Sequence, residues 1–548
     1  MRTVSGISRV NIQKGDIFGG ATAAIVALPL ALAFGVSSGA GALAGLYGAI
    51  FGGFFAAIFG GTKVQITGPT GPMTVVMALI VLHFAPNLSS AFAVVVLAGA
   101  FQVLFGKLGI GRYIKLMPQP VVSGFMSGIG IIIIILQIGP LLGHKAPDGT
   151  ILVKLAGMPQ MFQAPNLSTL LLGAITLGIT IFTPSRLARL VPPPLIAITV
   201  GTIAGLTFFK AAAVIGAIPS GIPRFQFPAI SYADLPHILR FALVLAFLGS
   251  IDSLLTSLVA DNITRTSHDS NKELVGQGIG NIACGFLGGL PGAGATMRTL
   301  VNVRAGGSSR LSGALHSVLL LAIVLGFSGA ASTIPLAVLG GILVKVGIDI
   351  IDWRYVKRIH TAPRAGVVIM LATFLMTVFV DLITAVAAGF VMASVLFVAR
   401  MAEAQVNSAK FAFGTDQLDD LSEEEEAILS RADGRIILFH LEGPLSFGSA
   451  RDIAKLIQTD MEKDVLAIDL SYVPFIDSSA AAALEEAIQR LKDTGDAVLL
   501  FGARADVIGM LRKTGVLQQL DEKYLLDSRI DALRLAQEIR AQRNGNQL

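Results

Sequence analysis

Asp252 is the single ionisable side chain in "FALVLAFLGSIDSLLTSLVA", residues 241–260, an apolar run of membrane-spanning length. An acid at that depth costs at least about 2.5–3.5 kcal/mol, which makes it a functional candidate by default. Thr256 follows at i+4 and shares its helical face. A carboxylate beside hydroxyls and free carbonyls is a hard-oxygen environment that suits Na⁺, or a proton if the acid is held neutral. The bland alternative is a counter-charge for Arg298.

A second chemistry belongs to two interrupted apolar stretches, "QITGPTGPMTVVM" (65–77) and "GLPGAGATMRTLVNV" (289–303). Gly68, Pro69, Gly71 and Pro72 stop a helix in the first, and Pro291, Gly292 and Gly294 do so in the second. Irregular backbone survives in hydrocarbon only where it lines a cavity or is buried in protein. A helix that begins there aims free N–H groups and a positive dipole end at an anion. Pro72 and Pro291 fit a first helical turn, where the missing N–H would be orphaned anyway. Simple kinking is the rival reading. An offset of about 224 carries Gly68 onto Gly292 and Met73 onto Met297, and paired breaks in repeated halves point to a transporter site. Arg298 lies one turn into the second half-helix, either attracting the anion or neutralising Asp252. His316, in the next span, reads as a satisfied packing histidine rather than a proton relay.

The elements that must position these residues are membrane helices. The chain has 548 residues, 53% hydrophobic and only 14% charged, against about 25% charged in soluble domains. Apolar runs lie near 16–35, 41–60, 88–106, 118–142, 168–185, 192–209, 238–260, 273–290, 311–329, 331–348, 365–380 and 382–400. The broken pieces near 70–83 and 295–303 raise the expectation to fourteen spans. Seven spans per half is odd, so a repeated half must be inverted. Basic residues cluster in "GKLGIGRYIK", "SRLAR" and "DWRYVKRIHTAPR", which puts those loops and both termini in the cytoplasm of a bacterial inner-membrane protein. No cleavable signal is expected at the N-terminus. The lone Cys284, in an apolar run, excludes a disulfide framework and reads as a buried thiol.

Charge divides the chain. Residues 1–409 carry 25 Lys+Arg against 11 Asp+Glu, and residues 410–548 carry 16 against 25. The expected boundaries are a membrane domain at 1–409, an acidic linker or helix face at 410–431, and a soluble domain at 432–548. In the last, β-rich runs such as "RIILFHLEGPLSF" alternate with helical stretches, the pattern of a small α/β domain. No P-loop, metal-spaced His/Cys set or nucleophile motif is present, so an enzyme is not expected, no cofactor beyond a bound Na⁺ is implied, and the net charge of +5 does not signal nucleic acid.

These residues also carry a family likeness. "GDIFGGATAAIVALPLALAFG" (15–35), "GLYGAIFGGFFAAIFGGT" (45–62) and the tail with "FIDSSA" (475–480) resemble the SulP anion transporters with their C-terminal STAS domain. Within the family, "PTGPMTVV", "SGFMSGIGII", "IDSLLTS" and "GAGATM" are most similar to its bicarbonate-carrying members. The resemblance implies two inverted seven-span repeats arranged as core and gate, and a homodimer in lipid formed through or beside STAS. It also implies a small inorganic anion held by Thr70, Gly71, Gly294, Ala295, Thr296 and Arg298, with Asp252, Thr256 and Thr296 holding the coupling ion, and Gly294 joining them if that ion is Na⁺.

Two departures bear on the substrate. Leu30 follows Pro29 where sulphate-type relatives usually carry glutamine, and Arg298 stands where bicarbonate-carrying members have a small residue. Bicarbonate with Na⁺ symport is the leading expectation, with sulphate or dicarboxylate by proton symport or exchange as the alternative. An anion channel and a STAS-linked signalling protein are the rivals. The regulatory loop of STAS relatives is represented by Asp477-Ser478-Ser479-Ala480, which is physically a helix N-cap first and offers Ser478 and Ser479 for phosphorylation.

Overall fold

A computed structural model of the chain describes residues 14–545 apart from 86, 115–116, 145–148, 189–190, 211, 217–224, 226, 229–231, 413–420 and 458–462. The chain divides into two compact units, Met1–Val391 and Met392–Leu548. The division falls inside one continuous helix, Leu382–Ser408.

The first unit is helical. In chain order it contains α1 (Lys14–Ser37), α2 (Ala42–Phe59, with a π-turn at Gly48–Gly52), strand β1 (Thr67–Gly68), α3 (Gly71–Phe84), α4 (Leu88–Lys107) and α5 (Gln119–Leu142). Then come α6 (Ile151–Gln163), α7 (Leu167–Phe182), α8 (Pro193–Thr207), α9 (Leu235–Thr264), α10 (Ser270–Phe286), β2 (Ala293–Gly294) and α11 (Thr296–Arg304). The last are α12 (Arg310–Ala331), α13 (Leu336–Ile350), α14 (Arg364–Phe379) and α15 (Leu382–Ser408). Every apolar run of the sequence holds a helix, and α6 is an addition, bent by 115° against α7. Among the described residues six helices are long and apolar enough to cross a membrane, or seven if the bent pair is one span.

Small residues let these helices approach closely, as packing in lipid requires. A Cβ on Gly99 of α4 would meet Gly278 O of α10 at 2.5 Å, and a Cβ on Gly278 would meet Gly99 O at the same distance. Larger residues at either position would push the two helices apart, and α10 carries the polar face described below. Cys284 is buried on this helix, as its apolar neighbours imply.

The second unit is a five-stranded sheet in the order β3-β4-β5-β6-β7: Lys410–Ala412, Ile436–Glu442, Val465–Tyr472, Ala497–Phe501 and Leu525–Leu526. β3 is antiparallel to β4 and the remaining pairs are parallel. The central strands are buried on both faces, which is why "VLAI" and "AVLLF" read as continuous apolar runs. Of the acidic stretch, residues 413–420 lie outside the described residues; β3 belongs to the sheet and "EEEEAILSR" is α16 (Glu423–Arg431). Ser422 and Glu425 close a capping box there, and the acidic first turn complements the helix dipole. Asp477 caps α18 (Ser478–Asp493) by accepting from Ala480 N, which leaves Ser478 and Ser479 exposed in its first turn. α17 (Ala450–Ile457), α19 (Ala505–Lys513) and α20 (Arg529–Gly545) complete the layers.

Candidate ion site

Both breaks are present, and they touch. β1 and β2 pair antiparallel, with Thr67 opposite Gly294 and Gly68 opposite Ala293. Ala295 N donates to Ile66 O at 2.8 Å just beyond the pair. α3 and α11 therefore both start within three residues of one crossing. Their N-cap residues, Thr70 and Ala295, offer no side-chain cap. First-turn N–H groups and two positive dipole ends are thus directed at the same region. Pro72 lies in the first turn of α3 as expected. Pro291 does not lie in the first turn of α11, because the chain crosses β1 as a strand before the helix begins at Thr296.

Gly71 opens α3 in a crowded position: a Cβ there would come 2.7 Å from Ile133 Cδ1 and 2.6 Å from Ile350 Cδ1. The broken backbone must find partners inside the protein, and α9 supplies some of them. Ser253 Oγ accepts from Gly294 N at 3.0 Å, and Thr256 Oγ1 donates to Gly294 O at 2.9 Å. Thr256 Oγ1 is also 2.7 Å from Thr296 Oγ1. Thr256, Gly294 and Thr296 are therefore in direct contact and gather three oxygens at one point.

Asp252, one turn earlier on α9, is 9% exposed and its Oδ2 has no hydrogen-bond partner. Thr70 is the hydroxyl beside it and Arg298 the cation whose charge it feels. Thr70 Oγ1 nevertheless forms no hydrogen bond of sound geometry. Buried polar atoms left unpaired cost roughly 1–3 kcal/mol each, so a carboxylate oxygen and a hydroxyl kept free at one point suit an ion. Asp252 also borders a cavity of about 10 Å³, room for about one water, with apolar walls that include Val121, Phe125, Ile251 and Leu255.

Arg298 is the third residue of α11 and 2% exposed. Its Nη2 donates to Pro69 O, while Nη1 is buried without a partner. A Cβ on Gly68 would lie 2.5 Å from that Nη1, so the guanidinium rests against the backbone of β1. Among the described residues it forms no salt bridge with Asp252. His316 is fully buried, yet its Nε2 has no partner and its Nδ1 is 3.5 Å from Ser317 Oγ, so it is not the satisfied packing histidine expected.

Sequence reasoning missed the polar face of α10. Glu273 is buried and accepts from Gly61 N and Thr62 N on one oxygen and from Gln65 Nε2 and Gln277 Nε2 on the other, all at 2.8 Å. Gln277 Nε2 also donates to Thr67 Oγ1 at 2.6 Å. Asn281 Oδ1 accepts from Gly292 N at 2.7 Å, and its Nδ2 donates to Gly292 O at 3.0 Å and Gln102 Oε1 at 2.8 Å. The signal was available: "ELVGQGIGNIACGF" places these three side chains at i, i+4 and i+8 of an otherwise small and apolar stretch.

Comparison with known proteins agrees with this architecture. Residues 14–373 match the Sulfate permease family and residues 427–528 the STAS domain. The bicarbonate transporter BicA of Synechocystis sp. is 46% identical over 541 residues, covering 97% of this chain and 96% of that protein. The solved transmembrane domain of a cyanobacterium bicarbonate transporter BicA is 51% identical, covers 68% of this chain and 97% of its own, and superposes with a TM-score of 0.65. The murine Solute Carrier 26 family member A9 anion transporter shares the fold over 97% of this chain and 92% of its own, with a TM-score of 0.83 at 19% identity. With the family match covering most of the chain and the close relative nearly all of it, this multi-pass membrane protein belongs to the sulfate permease family of anion transporters and ends in a STAS domain.

Proposed function

We propose that the protein is a secondary active transporter that carries bicarbonate with Na⁺ by symport across a bacterial cytoplasmic membrane. One observation carries this reading: the crossing of β1 and β2 sets two uncapped helix starts beside the oxygens of Asp252, Thr256, Gly294 and Thr296. The helix starts attract the anion, with Thr70, Gly71, Ala295 and Thr296 around it, and the oxygens attract the cation. Each ion then lowers the charge cost of holding the other, which is the basis of coupling. The identity to BicA proteins supports bicarbonate as the anion. The architecture that goes with this reading is fourteen spans in two inverted halves, core and gate, with both termini inside and two copies paired in lipid. The basic loops and the crossing of two like breaks support it.

Arg298 favours a second reading, sulphate or dicarboxylate transport by proton symport or exchange, because it adds a fixed buried cation beside the helix starts. Uptake of bicarbonate, sulphate and dicarboxylates by proteoliposomes, with and without a Na⁺ gradient, separates the two. Na⁺-dependent bicarbonate uptake is the expected result. Anion flux indifferent to Na⁺ and proton gradients would indicate a channel, and no flux at all would leave a signalling role for STAS.

A further inference from the structure

We propose that the polar face of α10 sets where the two breaks cross, with Asn281 as the positioning residue for the second break and Gln277 for the first. The ladder itself is only two residue pairs long, and so short a pairing does not hold its own register. Something outside it must. α10 binds both partners through side chains of a single helical face. Glu273 ties Gly61, Thr62 and Gln65 on the approach to β1, and Gln277 ties Thr67 within it. Asn281 takes both backbone groups of Gly292, the residue before β2. Because the three side chains are one helical turn apart, the spacing of the breaks along α10 is fixed by the helix rather than by the breaks.

Local chemistry explains the residue types. Gly292 offers one donor and one acceptor, and a primary amide is the small side chain that answers both. Glu273 faces four N–H donors, so a carboxylate with two oxygens is the group that satisfies them all. Gly292 fixes the orientation of the Asn281 amide, since a flipped amide would set its oxygen against Gly292 O, and Gln102 Oε1 accepts the remaining proton. α4, which carries Gln102, thereby joins the support.

The inference rests on the proposal that the crossing holds the transported ions, and its test keeps the two separable. The full chain is reconstituted in proteoliposomes as wild type, Asn281→Ala and Thr67→Val. Thr67→Val keeps the shape of the side chain and removes the acceptor of Gln277. Half-saturation for bicarbonate is expected to rise about tenfold in Thr67→Val, which loses one buried hydrogen bond, and by at least as much in Asn281→Ala, which loses three. The maximal rate should stay within about threefold, because an interaction made equally before and during translocation is what is lost. Amide exchange should quicken across 289–297 in Asn281→Ala and across 64–70 in Thr67→Val, and not elsewhere.

An unchanged half-saturation with a reduced maximal rate would overturn the positioning role, since misfolded protein removes rate alone. If Asn281→Ala does not fold, Thr67→Val decides by the same two measurements. If the wild type carries no anion, the transport proposal fails while the exchange data still decide this one. Localised quickening supports it, and unchanged exchange at the breaks overturns it.

Discussion

Thr256 Oγ1 lies 2.7 Å from Thr296 Oγ1 and donates at 2.9 Å to Gly294 O, so one hydroxyl on an unbroken helix binds both the strand and the helix start of the second break. Residues 40 positions apart in sequence thus share one oxygen cluster.

Thr256→Val preserves shape and removes the shared hydroxyl. The Na⁺ concentration for half-maximal bicarbonate uptake should rise about tenfold, equivalent to roughly 1.4 kcal/mol, with little change in maximal rate. An unaltered Na⁺ dependence in proteoliposomes would detach Thr256 from the cation.

Asp252→Asn keeps the side chain's volume and removes its charge. Gradient-driven uptake should fall by about a hundredfold or more while the protein elutes as a folded species, because the free Oδ2 is the charged member of the oxygen set. Full Na⁺-dependent uptake by this variant would reduce Asp252 to a counter-charge for Arg298.

Arg298→Gly removes a buried cation that rests on the backbone of β1. Two dipole ends of about half a charge each suffice for a monovalent anion, so monovalent uptake should persist while relative preference for divalent anions drops severalfold. Competition between sulphate and bicarbonate reads the effect directly. Thr70→Leu, which blocks the approach to the helix start, should abolish both, and normal transport by it would move the anion elsewhere.

Topology is open to labelling. In a Cys284→Ser background, cysteines replacing the exposed Arg112 and Lys357 should react only with reagent admitted to the cytoplasmic side. Reaction at either position from outside intact cells would contradict fourteen spans with both termini inside.

The sheet unit has an acid limb of its own. Burial pushes the Asp469 carboxyl up, but bonds from His440 Nδ1 at 2.9 Å and from Ser471 outweigh it and hold the group below the usual carboxylate range. A folded-state value depressed below the unfolded one stabilises above the unfolded value near pH 4 and is lost as pH falls through the folded one. Amide exchange in β5 of the full chain should therefore be flat from pH 7 to 5 and quicken below about pH 4 after correction for intrinsic rates. Asp469→Asn should quicken it at pH 7, by about 1.5–3 kcal/mol of lost protection.

Much of this was legible in one dimension. Proline and glycine act on the backbone where they stand, so the breaks at 68–72 and 291–296 could be read directly. Apolar length marked the helices, and the Asp477 cap followed from its position ahead of a helical run. Asp252 and Thr256 could be singled out as candidates because a lone acid in an apolar span is costly to hold there and the hydroxyl one turn on shares its face.

What only the tertiary structure decided is how distant segments satisfy one another. That the breaks pair as strands depends on two chain segments more than two hundred residues apart meeting in register. That Pro291 precedes a strand rather than opening a helix depends on the same meeting. Arg298 turned towards Pro69 O instead of pairing with Asp252, and Glu273 came to hold four N–H groups, because backbone unpaired at membrane depth takes whatever partner the packing brings within reach. Local rules state that such partners must exist, and only the packed helices determine which residues they are.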